Sequence, residues 1–313
     1  MKIALDAMGG DFAPDATIEG IQLLLQELSA DHQIVLIGQQ PLIEEQLEKR
    51  GINSPALQIV HAEDVIGMDE HPTKAFTQKQ DSSIGVGYKL LAEGKIQAFC
   101  SAGNTGAMHV GAMFSVKPCE GVLRPALASA APREDGSLGL LLDVGANADC
   151  KPDTLVQFGE LGAIYAHYVY GIENPKIALI NLGEEEKKGT VLTQATYQLF
   201  KETSRLNFVG NIEGRDIFST KSDVMVCNGF TGNVILKMAE SIYALLHKRG
   251  FSDPFFDQMN YEAIGGSPIL GINGNVVIGH GVSSGLAIKN MLLLALKMAE
   301  TNLHLKIRDA FGK

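Results

Sequence analysis

A loop rich in glycine and polar residues lies between a predicted strand and a predicted helix, at residues 101–106, with the sequence Ser-Ala-Gly-Asn-Thr-Gly. The backbone N–H groups and the dipole at a helix N-terminus favour a bound anion. We therefore predict a phosphate-binding loop here; the structural alternative is a glycine-rich turn in which Thr105 caps the helix. The candidate ligand-binding residues are Ser101, Gly103, Asn104, Thr105 and Gly106.

Two further loops have a similar composition. Residues 228–233 place Thr231 and Asn233 among glycines at another predicted helix start, and two such loops on one sheet edge indicate a shared ligand. Residues 6–11, Asp-Ala-Met-Gly-Gly-Asp, follow the first strand. Here Asp6, Gly9 and Gly10 either approach a ligand or form a tight turn with a capping aspartate. The string is not GxGxxG, so the dinucleotide-binding fingerprint is absent at this position.

Three single residues complete the candidate set. Asn147 follows a predicted strand and either donates a hydrogen bond to a carbonyl or phosphate oxygen or holds a turn. Lys188 lies in residues 183–189, whose glutamates and lysines are typical of a solvated loop, but a lysine at a helix start also pairs with phosphate. His280 stands between glycines and serves either as a general acid or base or as a structural histidine.

The sequence carries no arrangement that activates a protein nucleophile. It has no GxSxG string, and no cysteine has a flanking Cys or His. Inorganic phosphate carries negative charge and lone pairs at neutral pH. A reaction that uses phosphate as nucleophile therefore needs an enzyme mainly to bind it, orient it and stabilise the tetrahedral oxyanion. Loops of Gly, Asn and Thr together with a lysine suit that task.

These loops need a scaffold of alternating strands and helices. The predicted strands are runs of Val, Ile, Leu and Ala without polar alternation, which is typical of strands buried on both faces of a parallel sheet. The alternation predicts a three-layer α/β fold, with ligands at the carboxyl ends of the strands. The predicted strands are residues 3–7, 34–38, 57–61, 98–101, 126–131, 138–144, 177–182, 207–209 and 224–227. The predicted helices are residues 17–28, 42–50, 82–93, 106–114, 153–169, 190–202 and 232–247.

The C-terminal region differs in composition from the rest. Residues 265–285 hold seven glycines and precede a predicted helix at residues 286–305, which is apolar over most of its circumference. Such a helix is buried in a core or in a subunit interface. Because the chain shows no repeat, low-complexity segment or linker, we predict a single domain over residues 1–313, with this segment and helix packed on it.

Charge and cysteine content exclude several classes of protein. The net charge of −10 disfavours nucleic-acid binding, which needs clustered Lys and Arg. The four cysteines form no CxxC pair, so neither a metal site nor a disulfide is expected and a reducing cytoplasm is indicated. The N-terminus lacks the pattern of a signal peptide, and no apolar run reaches the roughly 18 residues of a membrane span.

Eight strings in order resemble the bacterial phosphate acyltransferase family of phospholipid synthesis, the acyl-carrier-protein:phosphate acyltransferases. They are DAMGGD at residues 6–11, IGMDEHPTKA at 66–75, KQDSS at 79–83, SAGNTGA at 101–107, LLDVGANADCKP at 141–152, NLGEEEKKG at 181–189, NIEGRD at 211–216 and GFTGNVILK at 229–237. The resemblance covers residues 1 to about 240 and resumes at Gly265.

The resemblance implies a Rossmann-like α/β/α sandwich, similar to isocitrate and isopropylmalate dehydrogenases and to phosphate acetyltransferases. It implies a homodimer without metal or nucleotide cofactor that converts long-chain acyl-ACP (acyl carrier protein) and inorganic phosphate to acyl phosphate and ACP. The product would feed a membrane glycerol-3-phosphate acyltransferase. The family's catalytic lysine and asparagine fall on Lys188, as a phosphate clamp, and Asn233, which orients the acyl carbonyl or the phosphate. Residues 101–106 would then cradle the phosphate, with Asn147 as a supporting donor.

One departure concerns membrane attachment. The family carries a longer helical segment before the GG-(A/S)-P motif. In this chain only residues 248–264 lie between the helix predicted to end at residue 247 and that motif. Within them, Phe251, Phe255 and Phe256 are available for contact with lipid or an acyl chain. The expected location is the cytoplasm, with peripheral association to the inner face of the membrane left open. The acidic ACP needs a basic docking patch. Its candidate residues are Lys187, Lys201, Arg205, Arg215 and Lys221.

Three alternatives stay open at this point. They are a short-chain phosphate acyltransferase that uses coenzyme A, an NAD-dependent decarboxylating dehydrogenase of the same architecture, and a non-catalytic ligand-binding subunit of a lipid-synthesis assembly.

Overall fold

The structure, a computed structural model, describes residues 1–312, apart from the side chain of Tyr261. The chain divides into two compact units. Unit 1 comprises Met1–Pro118 and Tyr261–His304, and unit 2 comprises Cys119–Asn260 with the C-terminal residues from Leu305 onward. Each unit contains its own strands and helices, and the single-domain organisation over residues 1–313 stays a prediction.

Strands and helices alternate along most of the chain. The strands are Lys2–Asp6 (β1), Gln33–Gly38 (β2), Leu57–His61 (β3), Ala98–Ser101 (β4), Ala126–Pro132 (β5), Leu138–Leu142 (β6), Lys176–Ile180 (β7), Asn207–Ile212 (β8), Val224–Val226 (β9), Ser267–Leu270 (β10) and Asn275–Ile278 (β11). The α-helices are Asp15–Leu24 (α1), Gln40–Lys49 (α2), Pro72–Gln78 (α3), Ser83–Ala92 (α4), Thr105–Gly111 (α5), Pro152–Tyr170 (α6), Val191–Glu202 (α7), Gly229–Lys248 (α8), Pro254–Asp257 (α9), Tyr261–Ile264 (α10), Gly285–Glu300 (α11) and Leu303–Phe311 (α12).

In unit 1 the strands are ordered β3-β2-β1-β4-β11-β10. All neighbours pair in parallel except β10, which runs antiparallel to β11. Strands β1, β4 and β11 therefore lie side by side and end at the same edge. The loops that follow these three strands, which carry most of the predicted phosphate-binding residues, are brought to one place.

In unit 2 the strands are ordered β5-β6-β9-β7-β8, with β5 antiparallel to β6 and the other pairs parallel. Successive residues of β7, from Ile177 to Ile180, are all buried, as are those of β9. A strand that is buried at consecutive positions has both faces covered, since its side chains alternate between the faces. The predicted layered α/β class is confirmed.

The predicted C-terminal helix at residues 286–305 is wrong in its extent. Helix α11 ends at Glu300, and Asn302 adopts a left-handed backbone with φ of 51° before α12 begins. Asparagine tolerates this conformation better than most residues, which permits the break. The glycine-rich residues 265–285 also contain two strands, β10 and β11, that their composition conceals.

None of the helices within residues 1–312 has both the length and the apolar content that a membrane crossing requires. Residues 248–264 contain the short helix α9, which lies in unit 2. There the ring of Phe256 contacts Phe251 and Phe255, with ring centroids 6.0 and 5.3 Å away, and Phe255 also contacts Phe218.

Candidate active site

In unit 1 the loops that follow β1, β4 and β11 pack against one another. The N–H of Gly279 donates to the carbonyl of Ser101 at 2.9 Å, and the N–H of Asp11 donates to the carbonyl of Gly281 at 2.7 Å. A Cβ atom on Gly9 would lie 2.8 Å from the backbone nitrogen of Gly103. Contacts this short leave room only for glycine at position 9, so the backbones of these loops approach closely.

Asp6 and Ser101 form a buried polar pair beneath these loops. The Ser101 hydroxyl donates to Oδ2 of Asp6 at 2.7 Å and accepts the N–H of Gly103 at 2.9 Å. Oδ1 of Asp6 accepts the N–H of Met8 at 3.0 Å. Both side chains are almost fully buried. Because the hydroxyl of Ser101 is already used as donor and acceptor, it shapes the loop from within.

The buried Asp6 carboxyl makes a pH-dependent contribution to stability. Burial raises its pKa above the ordinary value, and hydrogen bonds from Ser83 and Ser101 offset part of this rise. The folded chain therefore holds a proton on Asp6 at pH values where the unfolded chain has lost it, so this contribution to stability falls as pH rises.

The variant Asp6→Asn tests this contribution, because asparagine does not titrate. We expect the free energy of unfolding of the unaltered protein, measured relative to that of Asp6→Asn by urea denaturation, to fall as the pH rises above the ordinary pKa of aspartate, about 4. Asp135→Asn is the control of opposite sign, since hydrogen bonds from Ser137 lower the pKa of Asp135. A pH-independent difference for Asp6→Asn would contradict the assignment.

Asn104 caps helix α5 and also anchors a second loop. Its Oδ1 accepts the N–H of Ala107 at 3.0 Å, so Asn104 is the N-cap and the predicted alternative, Thr105, is not. Its Nδ2 group donates to the carbonyls of Gly67 and Glu70, both at 3.0 Å. The side-chain amide of Asn104 therefore forms its hydrogen bonds within the protein and holds the segment around residues 67–70 against the loop.

Two backbone N–H groups at the start of α5 remain available to a ligand. Among residues 1–312, the N–H groups of Thr105 and Gly106 donate to no acceptor of the protein. The side chain of Thr105 is exposed, and Gly106 packs on Pro72, whose Cγ lies 2.3 Å from where a Cβ atom would stand. The helix continues beyond Gly111 as a π-helical turn, Ala112–Val116, so its dipole is longer than α5 alone. These two N–H groups are the part of the predicted cradle that faces outward.

His280 lies exposed on the loop after β11. Its Nδ1 accepts the N–H of Val282 at 3.4 Å, and its carbonyl accepts the hydroxyl of Ser283 at 2.6 Å. Both contacts stabilise the turn that leads into α11. The structure therefore brings His280 to the same group of loops as Gly9, Gly10 and Gly103.

In unit 2, hydrogen bonds to the side chain of Asp143 hold the loop that follows β6. Its fully buried carboxylate accepts the N–H groups of Leu127 at 3.0 Å and of Ala146 at 3.1 Å. It also accepts the backbone N–H of Asn147 at 2.6 Å and the Asn147 side chain at 2.9 Å. One side chain therefore joins the end of β6 to the start of β5.

Asn147 lies in this arrangement as an internal donor. Its Nδ2 group donates to the carbonyl of Pro125 at 2.8 Å as well as to Asp143, and only 8% of the residue is exposed. Its own carbonyl accepts the N–H of Gly229 at 2.7 Å, at the first residue of α8. Asn147 thus connects the turn after β6 to the helix that carries Asn233.

Asn233 is exposed in the second turn of α8. Its Nδ2 group donates to the carbonyl of Val144 at 3.2 Å, beside Gly145, where the backbone has a φ of 138°. Its Oδ1 accepts no hydrogen bond within the described part of the chain, residues 1–312. The helix start itself is largely satisfied, because Asn228 caps it by accepting the N–H of Thr231. The side chain of Asn233 is therefore more accessible than the backbone donors beneath it.

The loop that carries Lys188 is exposed but held in place by two asparagines. Nδ2 of Asn181 donates to the carbonyl of Lys188 at 3.1 Å, and Nδ2 of Asn211 donates to the carbonyl of Glu185 at 3.1 Å. The N–H of Lys188 donates to the same Glu185 carbonyl at 3.0 Å. The backbone of this loop is thereby fixed from β7 and β8 while the side chain of Lys188 stays in solvent.

The acidic residues of this loop neutralise other basic residues. Glu184 pairs with Lys221 at 2.8 Å, and Glu186 pairs with Lys201 at 2.9 Å. Arg205 and Arg215, also predicted to dock ACP, pair with Glu160 and Glu213. Within residues 1–312, the ammonium groups of Lys187 and Lys188 form no ion pair. The loop therefore presents these two lysines without an ion pair, next to Glu185, for which the described chain also shows none.

The sequence interpretation missed three residues that build these sites, namely Asp143, Asn181 and Asn211. Each stands at the carboxyl end of a strand, the position where ligand-facing and loop-anchoring side chains concentrate. Their position at the strand ends was the feature of the sequence from which these residues could have been predicted. Their buried hydrogen bonds join segments that are distant in sequence.

The fold is shared with solved structures of other proteins. A phosphotransacetylase from Streptococcus pyogenes superposes with a TM-score of 0.68 over 96% of this chain and 94% of that chain, at 16% identity. At this level of identity the likeness concerns the fold alone.

Sequence comparison identifies the family. A family model described as "Fatty acid synthesis protein" matches residues 1–306. A phosphate acyltransferase from Syntrophomonas wolfei is 44% identical over 94% of this chain and 93% of its own length. One from Dictyoglomus turgidum is 41% identical over 100% of this chain and 98% of its own. The chain belongs to the phosphate acyltransferase family and is an acyltransferase, as the eight strings predicted.

Proposed function

We propose that this acyltransferase moves a long-chain fatty acyl group from the thioester of acyl carrier protein to inorganic phosphate. A phosphate oxygen attacks the thioester carbonyl and forms a C–O bond. The C–S bond then breaks, and the thiolate of the carrier protein leaves and takes up a proton. The products are an acyl phosphate and free carrier protein. The family assignment supports the reaction type, and the donor-rich loops suit an anionic nucleophile.

The proposal rests on the fixed backbone and the exposed ammonium group of Lys188. Its backbone is fixed by Asn181 while its ammonium group is exposed and, in the described chain, unpaired beside two glutamates that pair elsewhere. A cation kept free on a fixed loop is suited to bind phosphate. We assign Lys188 the role of phosphate clamp.

The other predicted residues take supporting roles in this proposal. Asn233, with its exposed amide, orients the acyl carbonyl or the phosphate. The N–H groups of Thr105 and Gly106 form the anion cradle that residues 101–106 were predicted to provide. The remaining residues shape the loops of their own unit, namely Asp6, Gly9, Gly10, Ser101, Gly103, Asn104 and His280 in unit 1 and Asn147 in unit 2.

Several further properties belong to the same proposal. The carrier protein, itself acidic, docks near Lys187, the predicted docking residue that forms no ion pair within residues 1–312. The protein acts as a homodimer in the cytoplasm. It passes its acyl phosphate to a membrane glycerol-3-phosphate acyltransferase, as a step in phospholipid synthesis.

The substrate is tested by incubating the protein with palmitoyl-ACP, with and without inorganic phosphate, and measuring release of the free thiol. We expect release only when phosphate is present, and faster release from palmitoyl-ACP than from acetyl-CoA. Release without phosphate would show a thioesterase, and preference for acetyl-CoA would show a short-chain enzyme. An absorbance change linked to NAD would indicate the dehydrogenase. Absence of any turnover by folded protein would favour the ligand-binding subunit.

A further inference from the structure

Three exposed apolar side chains border the anion-binding loops of unit 1. Phe12 is 58% exposed, Met68 is 45% exposed and Val282 is 38% exposed. Each lies in a loop that follows a strand, namely β1, β3 and β11. Exposed apolar side chains that occur together mark a binding surface more often than isolated ones do. We call these three residues the apolar rim.

Hydrogen bonds and close contacts place the apolar rim around Gly281. The N–H of Asp11, the residue before Phe12, donates to the carbonyl of Gly281, the residue before Val282, at 2.7 Å. A Cβ atom on Gly281 would lie 2.7 Å from Cε of Met68. The three loops therefore meet at one backbone position, and each rim residue either contacts Gly281 or is adjacent in sequence to a residue that forms this meeting point.

The apolar rim is also continuous with the cradle at the start of α5. The carbonyl of Met68 accepts Nδ2 of Asn104 at 3.3 Å, and Asn104 is the residue directly before Thr105. The side chain that caps α5 thus holds Met68 beside the two free N–H groups of the cradle. An anion at those N–H groups would have an apolar surface next to it.

We infer that the apolar rim binds the part of the fatty acyl chain nearest the thioester and makes the protein prefer longer acyl groups to short ones. This inference rests on the proposed function, because it takes the acyl thioester as substrate. Phosphate and the docking face of an acidic carrier protein are polar, so the acyl chain is the component that gains from an apolar surface. Each buried methylene contributes enough to change affinity about fourfold.

The test compares two rim variants with two matched controls. The variants are Phe12→Ser and Met68→Gln. The controls are Phe114→Ser and Met113→Gln, since Phe114 is 68% exposed and Met113 is 44% exposed, and both lie in the π-helical turn beyond α5. That turn begins about 10 Å along the helix from Thr105. All four positions are exposed, so none of the substitutions empties a core.

We expect each rim variant to lower kcat/KM for decanoyl-ACP about tenfold and to change kcat/KM for acetyl-ACP, whose acyl group is a single methyl beyond the carbonyl, less than about twofold. The two controls should leave both values unchanged. Equal losses on the two substrates, or no loss on either, would overturn the inference.

A second measurement decides the inference even if the proposed reaction fails. Binding of a fluorescent palmitate analogue, followed by titration, should weaken about tenfold in Phe12→Ser and stay unchanged in Phe114→Ser. Equal binding by the two variants would overturn the inference. A change of oligomeric mass in the rim variants on gel filtration would also overturn it, since it would assign the rim to contact with a second copy. Absence of phosphate-dependent turnover in the unaltered protein would instead refute the proposed function.

Discussion

Replacing Lys188 with alanine should lower kcat/KM for phosphate-dependent cleavage of palmitoyl-ACP by about 100- to 1,000-fold, the usual effect of removing a group that stabilises charge in a transition state. The effect should come without loss of stability. The side chain is exposed and, within residues 1–312, its ammonium group forms no ion pair. Its backbone contact with Asn181 uses the carbonyl, which alanine keeps.

Lys187→Ala is the matched control for this prediction. Lys187 is the preceding residue, is equally exposed and is likewise without an ion pair in the described chain. Its replacement should raise KM for the carrier protein severalfold and leave kcat nearly unchanged, because a docking charge at the rim of an interface acts mainly on association. Near-normal turnover by Lys188→Ala, or equal loss in both variants, would refute the clamp role.

Replacing Asp143 with asparagine should lower the free energy of unfolding by about 2 to 5 kcal/mol, because it leaves at least two buried N–H donors without an acceptor, at about 1 to 3 kcal/mol each. The carboxylate only accepts hydrogen bonds, and both of its oxygens receive N–H groups. An amide NH₂ at either position would face a donor and leave that donor without an acceptor. The loss should be seen in urea denaturation followed by circular dichroism.

Asp149→Asn provides the comparison for Asp143. Asp149 lies in the same loop but is exposed, and its Oδ1 accepts only the N–H of the next residue, Cys150. Its replacement should change the free energy of unfolding by less than about 0.5 kcal/mol. A loss below about 1 kcal/mol in Asp143→Asn would show that the carboxylate is not the organising group of this loop.

The strands of the fold were predictable where burial is continuous. The bounds of β4, whose four residues are all buried, agree with the predicted residues 98–101. The bounds of β3 agree with the predicted residues 57–61 although none of its residues is buried, because Ile59 and Val60 favour a strand. Strands β10 and β11 were missed, since glycines flank them and lower the apparent strand preference. Helix α3 was missed because it is short and has few buried positions, Ala75 and Phe76.

The location of the candidate site was predictable, but the role of each side chain was not. Glycines and polar residues after strands indicated the right loops. Whether a polar side chain faces a ligand depends on partners far away in the sequence. The side-chain amide of Asn104 donates to carbonyls of the segment that begins at Gly67, and that of Asn147 donates to Pro125 and Asp143. Those contacts arise only from tertiary structure.

The most direct test of the proposed reaction uses two labels in one incubation. Palmitoyl-ACP carries ¹⁴C in the acyl chain, inorganic phosphate carries ³²P, and the products are separated at neutral pH. Acyl transfer to phosphate predicts a single lipid product that contains both labels in equal molar amounts and that hydroxylamine converts to a ¹⁴C-labelled hydroxamate. Recovery of ¹⁴C only as free palmitate, with no lipid that carries ³²P, would contradict it.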